Sequence, residues 1–463
     1  MIVFALLIPY ILGLLIVSLV KRHEESSMIE RSGLAFPLGL GIIALIMLTL
    51  NLLGIKLGFI NIIMVISVIA IASLIWSLIK RYPIILFSRS AWSVKQLSLL
   101  EALLLGITGL IVLYVYFAAL IKPVLEFDAL WRHSLIARTI FLDKTFLTPF
   151  TQEIMQGLPP FSSFAQGWVF FCMNGWNEML GKIIFPTLYL ALLLISYAVL
   201  KKYFSRLRAL TFTFLVASLP LMVFHASTAY ADLPQTVYYS VGSIYLLTFI
   251  LSEFRAKSDL IISALFLGLG IIVKQHGIYL AGLNGLILIA ALWSNRQLTN
   301  KEKSTYVMAF SGIIILLGLP WLTFNPSITQ QLTNNLSSPF TQSAITPKES
   351  LPPLAERFSQ ALNIFFQKMF VFGNWHLAWA LLVICLIFFS RIVFLTPLIY
   401  WLALIALNLI YLFAALTLTG AYKFLLDGTL LNRMMMYQLP LVVLFSAFSL
   451  PKDKAVEKNK KKK

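Results

Sequence analysis

Only 12% of this 463-residue chain is charged, and acid is the scarcer kind: 18 Asp and Glu against 36 Lys and Arg. A soluble globular chain carries about 25% charged residues, so the shortage excludes a water-soluble fold and points to a membrane protein. Cysteine is nearly absent. Cys172 and Cys385 match no metal-ligand spacing and fall in different membrane layers, so both read as small apolar residues and a disulfide is not expected. No internal repeat and no separate soluble domain is visible. Asn335-Leu336-Ser337 is a formal glycosylation triplet that carries no weight without a eukaryotic source.

In place of charge there is hydrocarbon: 60% of residues are hydrophobic, 14% are aromatic, and mean hydropathy is +0.89. Apolar runs fall at 1–20, 34–53, 58–79, 99–121, 182–200, 209–226, 234–252, 259–274, 277–294, 305–324, 372–390, 393–417 and 433–450. Most are long enough to cross a bilayer as helices, which predicts an all-α, polytopic transmembrane bundle of about 13 spans. The run from Met1 to Val20 precedes Lys21 and Arg22 rather than following positive charge, so it is expected to stay as a span.

Cations then set the orientation. Lys21/Arg22/Arg31, Lys80/Arg81/Arg89/Lys95, Lys201/Lys202/Arg206/Arg208, Arg255/Lys257, Arg296/Lys301/Lys303, Arg391 and the Lys-rich tail occupy alternate connections. The positive-inside rule makes that side, and the C-terminus, cytoplasmic, in a plasma-membrane protein. The tail from Lys452 to Lys463 holds seven Lys against Asp453 and Glu457. Such a tail is an ordinary topogenic and lipid-facing feature, so membrane lipid, and no nucleic acid, is the expected partner.

The outer side receives the long connections 122–181 and 325–371 and the short ones near Thr228–Pro234, Lys274–Gly277 and Thr417–Asn432, which together hold nine of the 18 acidic residues. The chain divides accordingly into a three-span extension (1–98), a module of spans with outer loop 122–181 (99–324), a second outer loop (325–371), C-terminal spans (372–450) and the tail (451–463).

One stretch stands out. Between Pro123 and Pro160 lie Glu126, Asp128, Arg132, His133, Arg138, Asp143, Lys144 and Glu153. Ionisable groups so close to a bilayer are expensive and mark a functional site by default. Leu130, Leu135, Ala137, Ile140 and Phe141 suggest a short interfacial helix with Asp128 near its start. A helix cap, or a pairing with Arg132 four residues on, is an equally good reading of Asp128 from sequence alone. Asp232, in Tyr230-Ala231-Asp232-Leu233-Pro234, is the only charge between Arg208 and Glu253. Lys274-Gln275-His276-Gly277 forms another polar corner on the same face, where a snorkelling Lys is the blander account. Arg433 opens the last span where topology has no need of a cation, which favours anion binding.

Together these residues resemble the polytopic GT-C glycosyltransferases, in particular the protein O-mannosyltransferases and the lipid A aminoarabinose transferases. The acidic opening of that family's first large outer loop is similar to Glu126-Phe127-Asp128, with Trp131 and Ala137 behind it. Asp143 through Pro149 and Leu158-Pro159-Pro160-Phe161 echo its later loop segment, although Gln156 and Gly157 precede Leu158 where the family form carries Lys. Tyr230 to Pro234, Lys274 to Gly277 and Arg433 to Pro440 resemble three further family turns.

The resemblance implies a GT-C-like bundle with outer-face interfacial helices. It implies transfer of a sugar from a polyprenyl-phosphate donor to a hydroxyl-bearing acceptor on a protein, lipid or glycan, at the outer face and with inversion. Asp128 would be the catalytic base, or a ligand for a divalent metal that orients donor and acceptor; no cofactor is certain and a divalent metal is the candidate. Glu126, Trp131, Arg138, Asp232, Lys274, His276 and Arg433 would bind substrate, with Lys274, His276 and Arg433 on the phosphate. A transporter or flippase of lipid-linked sugars is the competing class, against which stand the nearly charge-free span middles and the lack of duplication. A scaffold that keeps the fold without the chemistry is the third.

Overall fold

The computed structural model describes residues 1–21, 25–80, 97–155, 158–324 and 351–451. The tail from Lys452, Arg81, Arg89 and Lys95, residues 325–350 of the second outer loop, Arg22, and Gln156-Gly157 lie outside the described residues. Every element among the described residues is helical.

Among the described residues, eight helices are long and apolar enough to cross a membrane: Ile2–Val20, Met28–Leu52, Phe59–Ile79, Leu99–Ile121, Glu178–Tyr203, His276–Ser294, Asn300–Phe324 and Leu398–Leu418. The expected span 234–252 is the continuous helix Asp232–Leu251, while others are broken. Arg206–Ala217 and Pro220–Ala226 meet at a 70° bend, where Pro220 lacks the N–H that would continue the ladder. The C-terminal runs appear as the shorter helices Ala378–Phe388 and Leu439–Ser449. Apolar run length therefore overstates the number of full-length helices, because Pro and Gly interrupt several runs without ending their apolar composition.

Small residues set the closest helix contacts. A Cβ on Gly13 would lie 1.8 Å from the Ala35 carbonyl oxygen, and one on Gly39 would lie 1.8 Å from that of Pro9. Ile2–Val20 and Met28–Leu52 thus pack backbone to backbone, as membrane helices do through small residues. The helix Asp232–Leu251 is the molecule's axis, buried from Asp232 through Ile250. Its Tyr238 donates to the Pro37 carbonyl at 2.6 Å, and its Ser240 to that of Tyr437 at 2.9 Å. It is therefore tied to both the N-terminal and the C-terminal helices.

The loop 122–181 folds into a π-helical turn Ala129–Ser134 and helices Leu135–Asp143, Pro149–Met155, Phe161–Met173 and Glu178–Gly181. Leu135–Asp143 keeps one face outward, as an interfacial helix should. Phe161–Met173 does not: Phe161 through Cys172 are all buried, and Trp168 Nε1 donates to the Ala5 carbonyl at 3.0 Å. Phe161, Phe164, Trp168 and Phe171 are too bulky and apolar to leave at the surface, so this part of the loop enters the core. Cys172 and Cys385 are buried free thiols.

Candidate active site at one end of the bundle

Four charged side chains, separated by up to 305 residues, meet at the start of the Asp232–Leu251 helix. Asp232 is the first residue of that helix and is 0% exposed. Its Oδ1 accepts from Lys274 Nζ at 2.5 Å and from the Tyr437 hydroxyl at 2.8 Å. Its Oδ2 accepts from Arg433 Nε at 2.9 Å and Nη2 at 2.7 Å. The third guanidinium nitrogen, Nη1, donates to Asp128 Oδ2 at 2.7 Å. One arginine thus clamps both carboxylates. Buried charge is tolerated only when paired in this way.

Each partner is positioned by a local break in helix. Lys274 lies between Lys257–Gly270 and His276–Ser294, where Gly277 permits the two to close: a Cβ there would meet the Gly270 carbonyl oxygen at 2.2 Å. Arg433 sits in the short helix Leu431–Met436, and Tyr437 follows before Leu439–Ser449. Lys274 Nζ also donates to the Tyr437 hydroxyl at 2.9 Å. The Arg433 guanidinium lies over the Tyr230 ring, 4.8 Å from its centroid, which holds the cation in a plane and shields one face.

Asp128 precedes the π-helical turn but makes no side-chain cap to it. Its carboxylate turns inward to Arg433 instead, and Arg132 Nη1 stands 4.0 Å from Oδ1. Burial disfavours the Asp128 charge, but the adjacent Arg433 outweighs that cost and holds the carboxyl below its ordinary value. Three of the chain's five histidines surround the cluster, since His133, His225 and His276 all feel the charges of Lys274, Asp232 and Arg433. Burial pushes the His133 imidazole down to about 4, so the ring is neutral at physiological pH. His133 Nδ1, His225 Nδ1 and Asn432 Oδ1 are buried with no hydrogen-bond partner.

Of the residues selected from sequence, Asp128, Asp232, Lys274 and Arg433 come together in direct contact, and His276 lies beside them. Glu126 is half-buried nearby, where its charge is felt by Tyr230 and Lys182. Trp131 is 54% exposed and packs against Phe127, with ring centroids 6.5 Å apart. Arg138 does not join the cluster; its guanidinium covers the Trp176 ring, 4.5 Å from the centroid. Sequence reasoning missed Tyr437, Tyr230, His133 and His225. The available signal was the rarity of histidine in so apolar a chain.

A divalent ion does not fit between the two aspartates. The Arg433 guanidinium occupies that place, both Asp232 oxygens are taken by cations and Tyr437, and no three His, Cys, Asp or Glu among the described residues form a metal-binding group.

The fold has counterparts among known membrane proteins. The family described as dolichyl-phosphate-mannose-protein mannosyltransferase matches residues 155–329, a span that takes in Asp232 and Lys274 but neither Asp128 nor Arg433. Crystal structures of ArnT from Cupriavidus metallidurans share the architecture. The form bound to undecaprenyl phosphate is 15% identical with TM-score 0.53, and the apo form 16% identical with TM-score 0.52. Each alignment covers 77% of this chain and 61% of the ArnT chain, so this protein spans about three-fifths of the length of ArnT. No protein of curated function matches the sequence.

Proposed function

We propose that this protein is an inverting glycosyltransferase that moves a sugar from a polyprenyl-phosphate donor to a hydroxyl acceptor at the outer face of the membrane. The observation that carries the reading is the shared clamp of Arg433 on Asp128 and Asp232, at the lipid–water end of an apolar bundle. The likeness to a protein that binds undecaprenyl phosphate supports the donor class.

The charge balance fits such a ligand. Asp128 and Asp232 cancel Arg433 and Lys274, and Arg132 at the rim, 39% exposed, adds one positive charge. A phosphodiester brings one negative charge. Its isoprenoid tail would lie in the bilayer while Arg433 and Lys274 stabilise the phosphate that leaves.

Asp128 is a weak base while Arg433 holds it, because a lowered pKa reduces its pull on a proton. Phosphate at Arg433 draws the guanidinium away and frees the carboxylate to accept the acceptor hydroxyl's proton as that oxygen attacks the anomeric carbon. A single displacement inverts the sugar. Glu126 and Trp131 at the rim are the proposed contacts to the acceptor side.

The test is transfer from a labelled polyprenyl-phosphate sugar in purified membranes. Asp128→Asn should reduce transfer roughly a hundredfold or more, the usual worth of a positioned base, with the protein still folded. Full activity in that variant removes the assignment, and labelled donor crossing the membrane unconsumed would indicate a flippase.

A further inference from the structure

Asp128 sits in a stretch that its own side chains hold loosely. From Ile121 to Leu130 only Val124 and Ala129 are buried, while Leu125, Phe127 and Leu130 are exposed. A segment with so few buried contacts is free to shift by distances that matter to a reacting group. Two side-chain bonds from elsewhere in the chain fix it, one on each side of Asp128.

The first bond precedes it. Lys182, at the end of Glu178–Gly181, is 1% exposed, and its Nζ donates to the Lys122 carbonyl at 2.5 Å. Lys122 caps Leu99–Ile121 in extended backbone, where the chain turns towards Asp128. Lysines commonly serve open carbonyls at helix ends, but this one is buried. An ammonium out of water is costly unless a carboxylate bonds it. Among the described residues none does, and Glu126 and Glu178 act on Lys182 only through space. The second bond follows Asp128. The buried Ser134 hydroxyl, at the end of the π-helical turn, donates to Gln166 Oε1 at 2.8 Å, and Gln166 Nε2 to the Ser162 carbonyl at 3.2 Å. Gln166 belongs to Phe161–Met173, which is buried from Phe161 through Cys172, so the turn is tied to a helix sunk in the core.

We propose that Lys182 and Gln166 are positioning residues that hold Asp128 within reach of Arg433 and of an acceptor hydroxyl. Among the described residues neither bonds the charged cluster directly. Lys182 acts through the Lys122 carbonyl and Gln166 through Ser134, and both of those partners lie six residues along the chain from Asp128. Within the segment the Leu130 N–H donates to the Glu126 carbonyl at 2.8 Å, so the turn that carries Asp128 moves as a unit once its ends are fixed. The proposal rests on the transferase reading and deepens it, by assigning the placement of the base to residues outside the site.

The test uses purified membranes holding the full-length protein, with labelled polyprenyl-phosphate mannose as the probe. Lys182→Met and Gln166→Met should each lower kcat about a hundredfold, which is what a shift of about 1 Å costs a positioned group. Donor KM should not change, because Lys274 and Arg433 keep their bonds. Lys182→Arg, which still offers the carbonyl a donor, should recover most of the rate. Ser134→Ala breaks the Gln166 bond from its other end and keeps the test valid if either Met variant fails to fold. In an Asp128→Asn background these substitutions should cost nothing more, since residues that act through one group are not additive. A wild-type kcat in the folded variants, or a further loss in the Asp128→Asn background, overturns the proposal. A nitroxide on Phe127→Cys gives a readout free of activity, both native cysteines being buried. It should gain mobility in Lys182→Met, while one on Leu142→Cys, exposed beyond Ser134, should not. A Phe127→Cys label no more mobile than in the Lys182 parent refutes the positioning role. A label that loosens in a protein whose parent transfers nothing sinks the transferase reading and leaves the two bonds as what places the Asp128 segment.

Discussion

Asp128 shows how little a residue's neighbours in sequence say about its charge partner. Arg132, four residues on, is a weak contact at 4.0 Å, while Arg433, 305 residues away, supplies the hydrogen bond. The carboxylates were visible because acid is rare in so apolar a chain, but the arginine that joins them was visible only as a cation topology did not need. His133 was hidden inside the charged stretch, and its importance comes from burial, which no spacing rule reports. That burial has a pH consequence. An unfolded His titrates near 6.5, while burial pushes folded His133 down to about 4. Between those values the unfolded state binds the extra proton, so stability rises with pH and is lost on acidification. Asp128, held below its ordinary value, adds a loss of the same sign as pH falls through its lowered folded value. His133→Gln should therefore flatten the fall in melting temperature between pH 7 and pH 5. An unchanged slope would mean that His133 is not the buried neutral group inferred here.

At the scale of elements, helix type was legible throughout, and the interruptions were not. The polar corner Lys274 to Gly277 was read correctly as a break, yet its purpose is geometric: Gly277 lets His276–Ser294 begin against the backbone of Gly270. The buried Phe161–Met173 helix was misread with its loop because thirteen residues are too few to register as a span, whatever their apolarity. Gly277 offers the sharper test. Its Cβ would stand 2.2 Å from a carbonyl oxygen that cannot rotate away, so Gly277→Ala must shift the corner that carries Lys274. Gly282→Ala on the same helix meets nothing within 4 Å and serves as control. A displacement of about 1 Å at a positioned group costs on the order of a hundredfold in rate. Transfer by Gly277→Ala should fall by that order while Gly282→Ala stays near wild type; equal rates in the two would show that the position of Lys274 does not limit the reaction.

Across the whole molecule, the Asp232–Leu251 helix carries an ionic cluster at each end and is otherwise encased in apolar side chains. The alternating cations of the sequence suggested a two-sided protein. They did not foretell that Lys21, Glu30, Lys202 and Asp259, from four separate segments, would be tied into one buried network. The two clusters are separated by roughly 24 Å of packed helix, too far for any direct contact between them. The cluster around Glu30 is best read as a fastening for the helices that frame the one around Asp128. Glu30 is its hub, 0% exposed, and Glu30→Gln leaves Lys21 and Lys202 sharing a neutral amide. Breaking a buried pair in this way costs about 3–5 kcal/mol, so the variant should melt well below wild type. Its folded fraction, however, should transfer sugar at the wild-type rate, because every contact to Asp128, Asp232, Lys274 and Arg433 is untouched. Melting and single-turnover transfer measured on the same preparation separate these effects. A variant that melts normally would deny the fastening role. One that melts low and also transfers slowly while still folded would show that the two ends of the axial helix are energetically coupled, and that the Asp128 site is held in register from the far end of the bundle.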